Sequence, residues 1–118
     1  MKSVTLIVRQ TQINKIFPNG FHLLLEDDSS VLDAIRAADE EIKNKVEKFP
    51  VEKCKSLLHM VYHPREDRFY KQVAVQAYTT SNPFISLREN PRMQLPNDVT
   101  IIIVPAGGCT TDWEEPAE

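Results

Sequence analysis

The chain begins with two apolar runs that have the character of strands. The first covers 3–10, and the second covers 21–26, after a Phe-Pro-Asn-Gly turn signal at 17–20. β-Branched residues with partial alternation of apolar and polar positions are typical of strands, and Asn-Gly tolerates the positive φ of tight turns. The pattern therefore predicts an N-terminal hairpin with a rather long connection.

The next segment changes to helical periodicity. Ser30 can cap a helix, and Asp33, three residues later, occupies a position like that of a capping box. Apolar residues then recur at helical spacing, and the charged residues of 39–45 lie largely off this stripe. The helix is expected to end near Phe49, because Pro50 disfavours helical geometry at the residue before it. The stripe consists of Val31, Ile35, Ala38, Ile42 and Val46.

Residues 50–70 are compatible with two patterns. One is a short helix that starts at Pro50, and the other is a strand around Met60 that turns at 63–67. We favour a short helix followed by extended chain. The apolar face would be Val51, Cys54, Leu58 and Val61 in the helix, or Leu58, Met60 and Tyr62 in the strand.

The remaining apolar runs predict three extended segments. Residues 69–78 alternate enough for a strand, a short extended piece is expected at 84–87, and a turn at 95–98 leads into 99–104. This final run is almost continuously apolar, which is typical of a central strand with both faces at least partly covered. The order of elements predicts a small α+β roll, in which one main helix packs across a mixed sheet of four to five strands.

Composition adds one anomaly to this pattern. The 118 residues fit a single domain and include eight prolines but only three glycines, two of which, Gly107 and Gly108, directly follow the final strand. No run is long enough for a membrane span, and Arg9 interrupts the N-terminal apolar run before a signal-peptide core can form. We therefore expect a cytoplasmic protein without a membrane partner.

The net charge of −3 is concentrated at the end of the chain. Residues 109–118 contain four acidic and no basic residues, whereas residues 1–108 contain 13 acidic and 14 basic residues, a net +1. Such a short acidic segment buries too little surface to order itself, so we expect a flexible tail. The overall charge also predicts no affinity for nucleic acid.

The segment 95–108, Leu-Pro-Asn-Asp-Val-Thr-Ile-Ile-Ile-Val-Pro-Ala-Gly-Gly, resembles the terminal motif of the β-grasp sulfur carriers. This family includes the small subunit of molybdopterin synthase and the sulfur carrier of thiamine biosynthesis. Residues 30–35 likewise resemble the start of the family's helix. The resemblance implies a ubiquitin-like β-grasp domain over 1–108, with 49–68 as an insertion and 109–118 as an added tail.

The resemblance also implies a function as a carrier that is not itself an enzyme and binds no cofactor. A ubiquitin-activating-type enzyme would use ATP to adenylylate the carboxylate of Gly108, and a persulfide donor would convert it to a thiocarboxylate for an acceptor enzyme of cofactor or metabolite biosynthesis. Ala106 and Gly107 would thread into the activating enzyme, because glycine has no Cβ and passes through a narrow channel.

The chain departs from the family's usual ending, because ten residues follow Gly108 and leave it without a free carboxylate. Some relatives carry short extensions that a JAMM-type zinc metalloprotease removes, so we expect cleavage between Gly108 and Cys109. The alternatives are a non-catalytic β-grasp interaction module with a permanent tail, and a modifier that is conjugated to proteins.

Three further groups have weaker patterns. Cys54, His59 and His63 suggest a zinc site, but no fourth ligand is apparent, so we predict no metal. Trp113 is unusual in an acidic tail, and we expect it either to be read by a processing protease or to dock on the domain and mask Gly108. The basic residues of the second half form either a solvated surface or a docking face for an acidic partner: Arg65, Arg68, Lys71, Arg88 and Arg92.

Overall fold

The computed structural model describes residues 1–52 and 54–105, and all structural statements concern these residues. They form three helices and seven strands. In chain order these are β1 (Lys2–Val8), α1 (Thr11–Ile16), β2 (Phe21–Leu25), α2 (Val31–Lys45), α3 (Leu57–Val61), β3 (Tyr62–His63), β4 (Arg68–Phe69), β5 (Ala74–Tyr78), β6 (Ile85–Ser86) and β7 (Val99–Val104).

Five of the strands form one mixed sheet in the order β2-β1-β7-β5-β6. The first and last strands of the chain, β1 and β7, are parallel neighbours, and the other neighbouring pairs are antiparallel. Helix α2 packs across one face of this sheet. The structure therefore confirms the predicted α+β class and has a β-grasp-like fold, with the apolar run 99–104 as its central strand.

Alternation along the strands divides the sheet into a core face and an open face. On the core face, buried side chains of β1 and β7 such as Leu6, Ile101 and Ile103 meet the apolar stripe of α2. Burying such apolar area is the main stabilising contribution to a domain of this size. The opposite positions of the strands are half-buried or exposed, and this open face includes Ile102 and Val104.

The start of α2 agrees with its prediction, and its end does not. The Ser30 backbone N–H donates to Asp33 Oδ2 at 2.9 Å, which is half of the expected capping box. The helix ends at Lys45 rather than near Phe49, and Val46 is already extended. After the helix the chain returns so that the first turn of α3 contacts the side chain of Asp39, which lies in the middle of α2.

The N-terminal hairpin is confirmed, including the positive φ of +78° at Gly20, but its first strand ends at Val8 instead of residue 10. The long connection contains α1, which was not predicted. Gln10 caps this helix, because its Oε1 accepts the N–H of Ile13 at 2.9 Å. A strand that continued through Gln10 would exclude this cap.

The preferred short helix in 50–70 exists as α3, but it begins at Leu57 rather than Pro50. Ser56 Oγ accepts the N–H of His59 at 3.0 Å, and this cap sets the start of the helix. The helix buries Leu57, Met60 and Val61, while Leu58, placed on the apolar face in the prediction, is half-buried. The turn expected at 63–67 joins the two short strands β3 and β4.

The strand predicted over 69–78 is wrong in its first half. Residues 70–73 form a turn, in which the Val73 N–H donates to the carbonyl of Tyr70 at 3.0 Å, and the strand begins only at Ala74. Ala74 is the residue paired with Val104, the last residue of β7. Strand β5 therefore begins at the first residue that pairs with β7. The predicted extended piece at 84–87 contains the two-residue strand β6.

Candidate functional site

The candidate site is the end of the sheet at which the central strand β7 finishes. Val104, its last residue, is paired with Ala74, while Ile103 is paired with Val8 of β1 and accepts a hydrogen bond of 2.9 Å from the N–H of Arg9. Pro105 follows and is buried. The backbone is thus held from both sides through Ile103 and from the β5 side at Val104, which fixes the point at which the chain leaves the sheet.

The predicted site residues Ala106, Gly107, Gly108 and Cys109 lie outside the described residues, as do Trp113 and the rest of the acidic tail. What the structure does give is the surroundings of the position from which they continue. Two surfaces adjoin that position, the open face of the sheet and a groove beside β5.

The open face carries apolar side chains close to the end of β7. Ile7 and Gln76 flank Ile102 on either side in the pairing register, and Thr5 and Tyr78 likewise flank Thr100. Ile7 and Ile102 are half-buried, whereas 39% of Val104 is exposed. An apolar strip of this kind, rimmed by polar side chains, is typical of a surface that contacts another molecule.

The groove consists of two adjoining depressions of about 270 and 340 Å³ that share Lys71 and Arg88. We call it the basic groove, since its charged lining is Arg68, Lys71 and Arg88 against the single acid Glu89. Arg88 bridges its walls, because Nη2 donates to the carbonyl oxygen of Lys71 at 2.6 Å. The lining also includes Gln72, Ala74 and Phe84.

The structure thus brings together three of the five basic residues noted in the sequence. Arg92 is instead paired with Asp67, with Nε 3.0 Å from Oδ2, and Arg65 is not part of the groove lining. Arg92 and the hydroxyl of Tyr62, which donates to the same carboxylate, lower the pKa of Asp67. This network joins the β3–β4 hairpin to the loop before β7 and therefore has a structural role.

A second polar centre, at the junction of α2 and α3, was not foreseen from the sequence. Asp39 was expected to lie off the apolar stripe, but it is buried, and its two carboxylate oxygens accept the N–H groups of Leu57 and Leu58 at 2.7 and 3.1 Å. Desolvation raises the pKa of Asp39, although both hydrogen bonds favour the charged form. Its role is to cap the first turn of α3.

The three residues considered for zinc binding do not form a ligand set. Cys54 is buried, His59 Nδ1 accepts the Lys55 N–H at 3.1 Å, and His63 Nδ1 accepts the Glu66 N–H at 3.3 Å. Desolvation lowers the pKa of His59, and the charge of Lys55 lowers it further. Within 1–52 and 54–105, no group of three or more His, Cys, Asp or Glu side chains is arranged to hold a metal ion.

Among the helices of the described residues, none has the length and apolar character needed to cross a membrane. In comparisons with known proteins, no family model, no curated protein and no solved structure matches the chain significantly. The functional assignment therefore depends on the fold, the end of β7 and the motif that follows it.

Proposed function

We propose that this chain is the precursor of a β-grasp sulfur-carrier or ubiquitin-like protein, which acts in the cytoplasm through a Gly108 carboxylate exposed by removal of residues 109–118. The observation that carries the proposal is the position of β7. It is the central strand of a β2-β1-β7-β5-β6 sheet, and Gly107 and Gly108 come only three and four residues after its last residue, Val104.

This position suits a reactive terminus that must enter another protein's active site. Strands on both sides hold the backbone through Ile103, and β5 also holds Val104, so a short segment after Pro105 starts from a rigid base. In that segment Ala106, Gly107 and Gly108 have at most one side-chain carbon each, which permits threading through a narrow channel. A fixed base and a thin end reduce the entropy lost when the terminus is positioned.

The chemistry belongs to the partners. A carboxylate is ionised at neutral pH and resists nucleophiles, so the activating enzyme joins a Gly108 oxygen to the α-phosphate of ATP and releases pyrophosphate. The terminal sulfur of a persulfide then displaces AMP from the carbonyl carbon, and a thiol cleaves the resulting acyl disulfide to leave the thiocarboxylate. An acceptor enzyme takes the sulfur.

The open face supports the same function because it offers a contact surface next to the reactive end. An apolar strip lies on the open face next to the end of β7, and it consists of Ile7, Ile102 and Val104. An activating enzyme that covered this strip would hold the domain while the terminus reaches its active site.

Two measurements test the proposal. A chain ending at Gly108, incubated with ATP, a persulfide donor and the host's activating enzyme, should gain the mass of sulfur in place of oxygen, whereas the full-length chain should not. Intact-mass analysis of the protein from its native host should find a species ending at Gly108, produced by a JAMM-type metalloprotease. Finding only the full-length chain would contradict the cleavage.

The open face also supports the second candidate, a non-catalytic interaction module with a permanent tail. In that case no cognate activating enzyme adenylylates the chain ending at Gly108, and a partner binds the full-length protein through the open face. Recovery of the protein in covalent linkage to other proteins through Gly108 would instead indicate a conjugated modifier.

A further inference from the structure

The basic groove lies directly beside the point where the chain leaves the sheet. Ala74, which lines the groove, is the residue paired with Val104. Paired residues of antiparallel strands have their Cα atoms only about 5 Å apart. Whatever follows Pro105 therefore starts at the edge of the groove.

Two polar groups in the groove have unused capacity toward a ligand. Among the described residues no carboxylate lies within ion-pair distance of the half-buried Arg88, whose Nη2 donates only to a backbone carbonyl. Gln72 Oε1 is buried and has no hydrogen-bond donor among the same residues. An unsatisfied buried oxygen is destabilising, so a segment that donated an N–H to it would be stabilised there.

The lining of the groove also includes an exposed aromatic side chain. Phe84, at its edge, exposes 60% of its surface, which is unusual for an aromatic side chain in a small domain. Stacking of a second aromatic ring against Phe84 would remove apolar area from water and favour an edge-to-face or offset pair.

The tail has the complementary chemistry. Residues 109–118 contain Asp112, Glu114, Glu115 and Glu118, no basic residue, and the only tryptophan of the chain, Trp113. Trp113 is eight residues beyond Pro105, so an extended chain reaches up to about 26 Å. This reach is close to the middle dimension of the domain, which is 30 Å. Since the groove lies beside Pro105, the tail is long enough to enter it.

We propose that the acidic tail docks intramolecularly in the basic groove, with its carboxylates against Lys71 and Arg88 and Trp113 against Phe84. The docked tail covers the exit of β7 and keeps the Gly107-Gly108 segment against the domain. This contact is a property of the chain itself and goes beyond the proposed carrier function, since it requires neither an activating enzyme nor a protease.

Trp113 makes the test direct, because every tryptophan signal of the full-length protein comes from the tail. Docking predicts a blue-shifted emission and a severalfold lower acrylamide quenching constant than for a synthetic peptide of residues 109–118. In 1 M salt, where the screening length falls to about 3 Å, quenching should rise toward the peptide value.

Variants on both sides of the contact separate docking from a general effect on folding. Arg88→Glu should raise quenching severalfold, whereas the charge reversal Lys48→Glu, at an exposed lysine outside the groove, should leave it unchanged. If Arg88→Glu does not fold, the double tail variant Glu114→Gln and Glu115→Gln, which leaves the domain intact, should give the same increase.

Two results would overturn the docking. One is a Trp113 that is quenched as readily in the full-length protein as in the peptide, and the other is a protection that neither groove nor tail variants change. An exposed Trp113 together with capture of an added acidic peptide would assign the groove to a separate partner. Neither result bears on thiocarboxylate formation at Gly108, so the failure of one proposal is distinguishable from the failure of the other.

Discussion

Lys2 provides the sharpest test of how the fold holds β7 in position. Its side chain is buried, and its ammonium group donates all three protons to backbone carbonyls, at 2.8 Å to Asp27, 3.0 Å to Ser29 and 2.6 Å to Leu95. Leu95 begins the turn that leads into β7, while Asp27 and Ser29 belong to the loop before α2. One side chain thus joins the first strand, the helix entrance and the approach to the last strand.

Substitution of Lys2 by methionine keeps most of the side-chain volume and removes all three donors. A hydrogen bond to a charged group contributes about 1.5–3 kcal/mol to stability. The loss is smaller than the sum of three such bonds, because methionine leaves no buried charge behind and because water solvates the part-buried carbonyl of Asp27. We therefore expect a net loss of about 3 kcal/mol from the free energy of unfolding. In a domain of this size that loss lowers Tm by about 12–20 °C.

The assay is urea unfolding followed by circular dichroism, with thermal melts as a second measure. The matched control is Lys15→Met, because Lys15 is exposed on α1 and its loss should change stability by less than about 0.5 kcal/mol. If Lys2→Met unfolds within about 1 kcal/mol of the wild type, the three bonds do not stabilise the native state and this reasoning is refuted.

Substitutions at three further positions test the fold and the site. Gly20→Ala should cost about 2 kcal/mol by urea unfolding, because a Cβ would lie 2.7 Å from the carbonyl oxygen of Leu6 at a φ of +78°. Asp39→Ala should lose about 2 kcal/mol, since two N–H groups lose their acceptor. Because the pKa of Asp39 is raised in the folded state, the folded protein binds this proton more tightly than the unfolded chain does. The stability of the wild type relative to Asp39→Asn should therefore rise as the pH falls through the pKa of the folded state, and level off below the pKa of 3.8 of the unfolded chain. A stability difference that does not change with pH would contradict this. Val104→Glu should fold normally but lower the adenylylation rate of the chain ending at Gly108 at least about tenfold, whereas Leu24→Glu, on β2 at the edge of the sheet, should not.

The elements that the sequence predicts well are those whose pattern is long and agrees with the tertiary structure. Helix α2 presents four successive turns of apolar residues, and β7 is a six-residue apolar run between clear turn signals. The buried face of α2 follows from its periodicity, and the central position of β7 follows from its nearly continuous apolar run. The mixed sheet follows from them, because a hairpin, a crossover helix and a buried last strand leave few arrangements.

The missed features depend on contacts that no local pattern contains. Helix α1 has six residues and buries only Ile13, so its period is too short to detect. The burial of Asp39 depends on the two N–H groups that it receives from residues 18 and 19 positions away. A charged residue on a helix normally indicates the solvent side, and only its partners on α3 explain why this one is buried.

The candidate site likewise has one part that the sequence predicts and one part that depends on tertiary contacts. The Gly-Gly pair after an apolar strand is visible in the sequence, because it is a local motif in a chain with only three glycines. The basic groove is not, since it depends on Arg88 reaching the backbone of Lys71 across 17 positions. The turn at 70–73, which the strand pattern did not predict, is what presents Lys71 and Gln72 to the groove rather than to the sheet.

If both proposals hold, cleavage after Gly108 has two effects: it exposes a carboxylate, and it uncovers the basic groove. The full chain carries −3, and residues 1–108 carry +1 by side chains, so one cleavage removes the acidic residues that the basic groove would hold. Under the proposed function, Arg88 and Lys71 would then face solvent next to the end of β7, on the side from which the activating enzyme would approach. An acidic surface on that enzyme would be repelled by the precursor and attracted by the product, which raises its association rate for the processed chain alone. The tail would therefore prevent activation twice, by blocking the carboxylate and by occupying the surface that selects the partner.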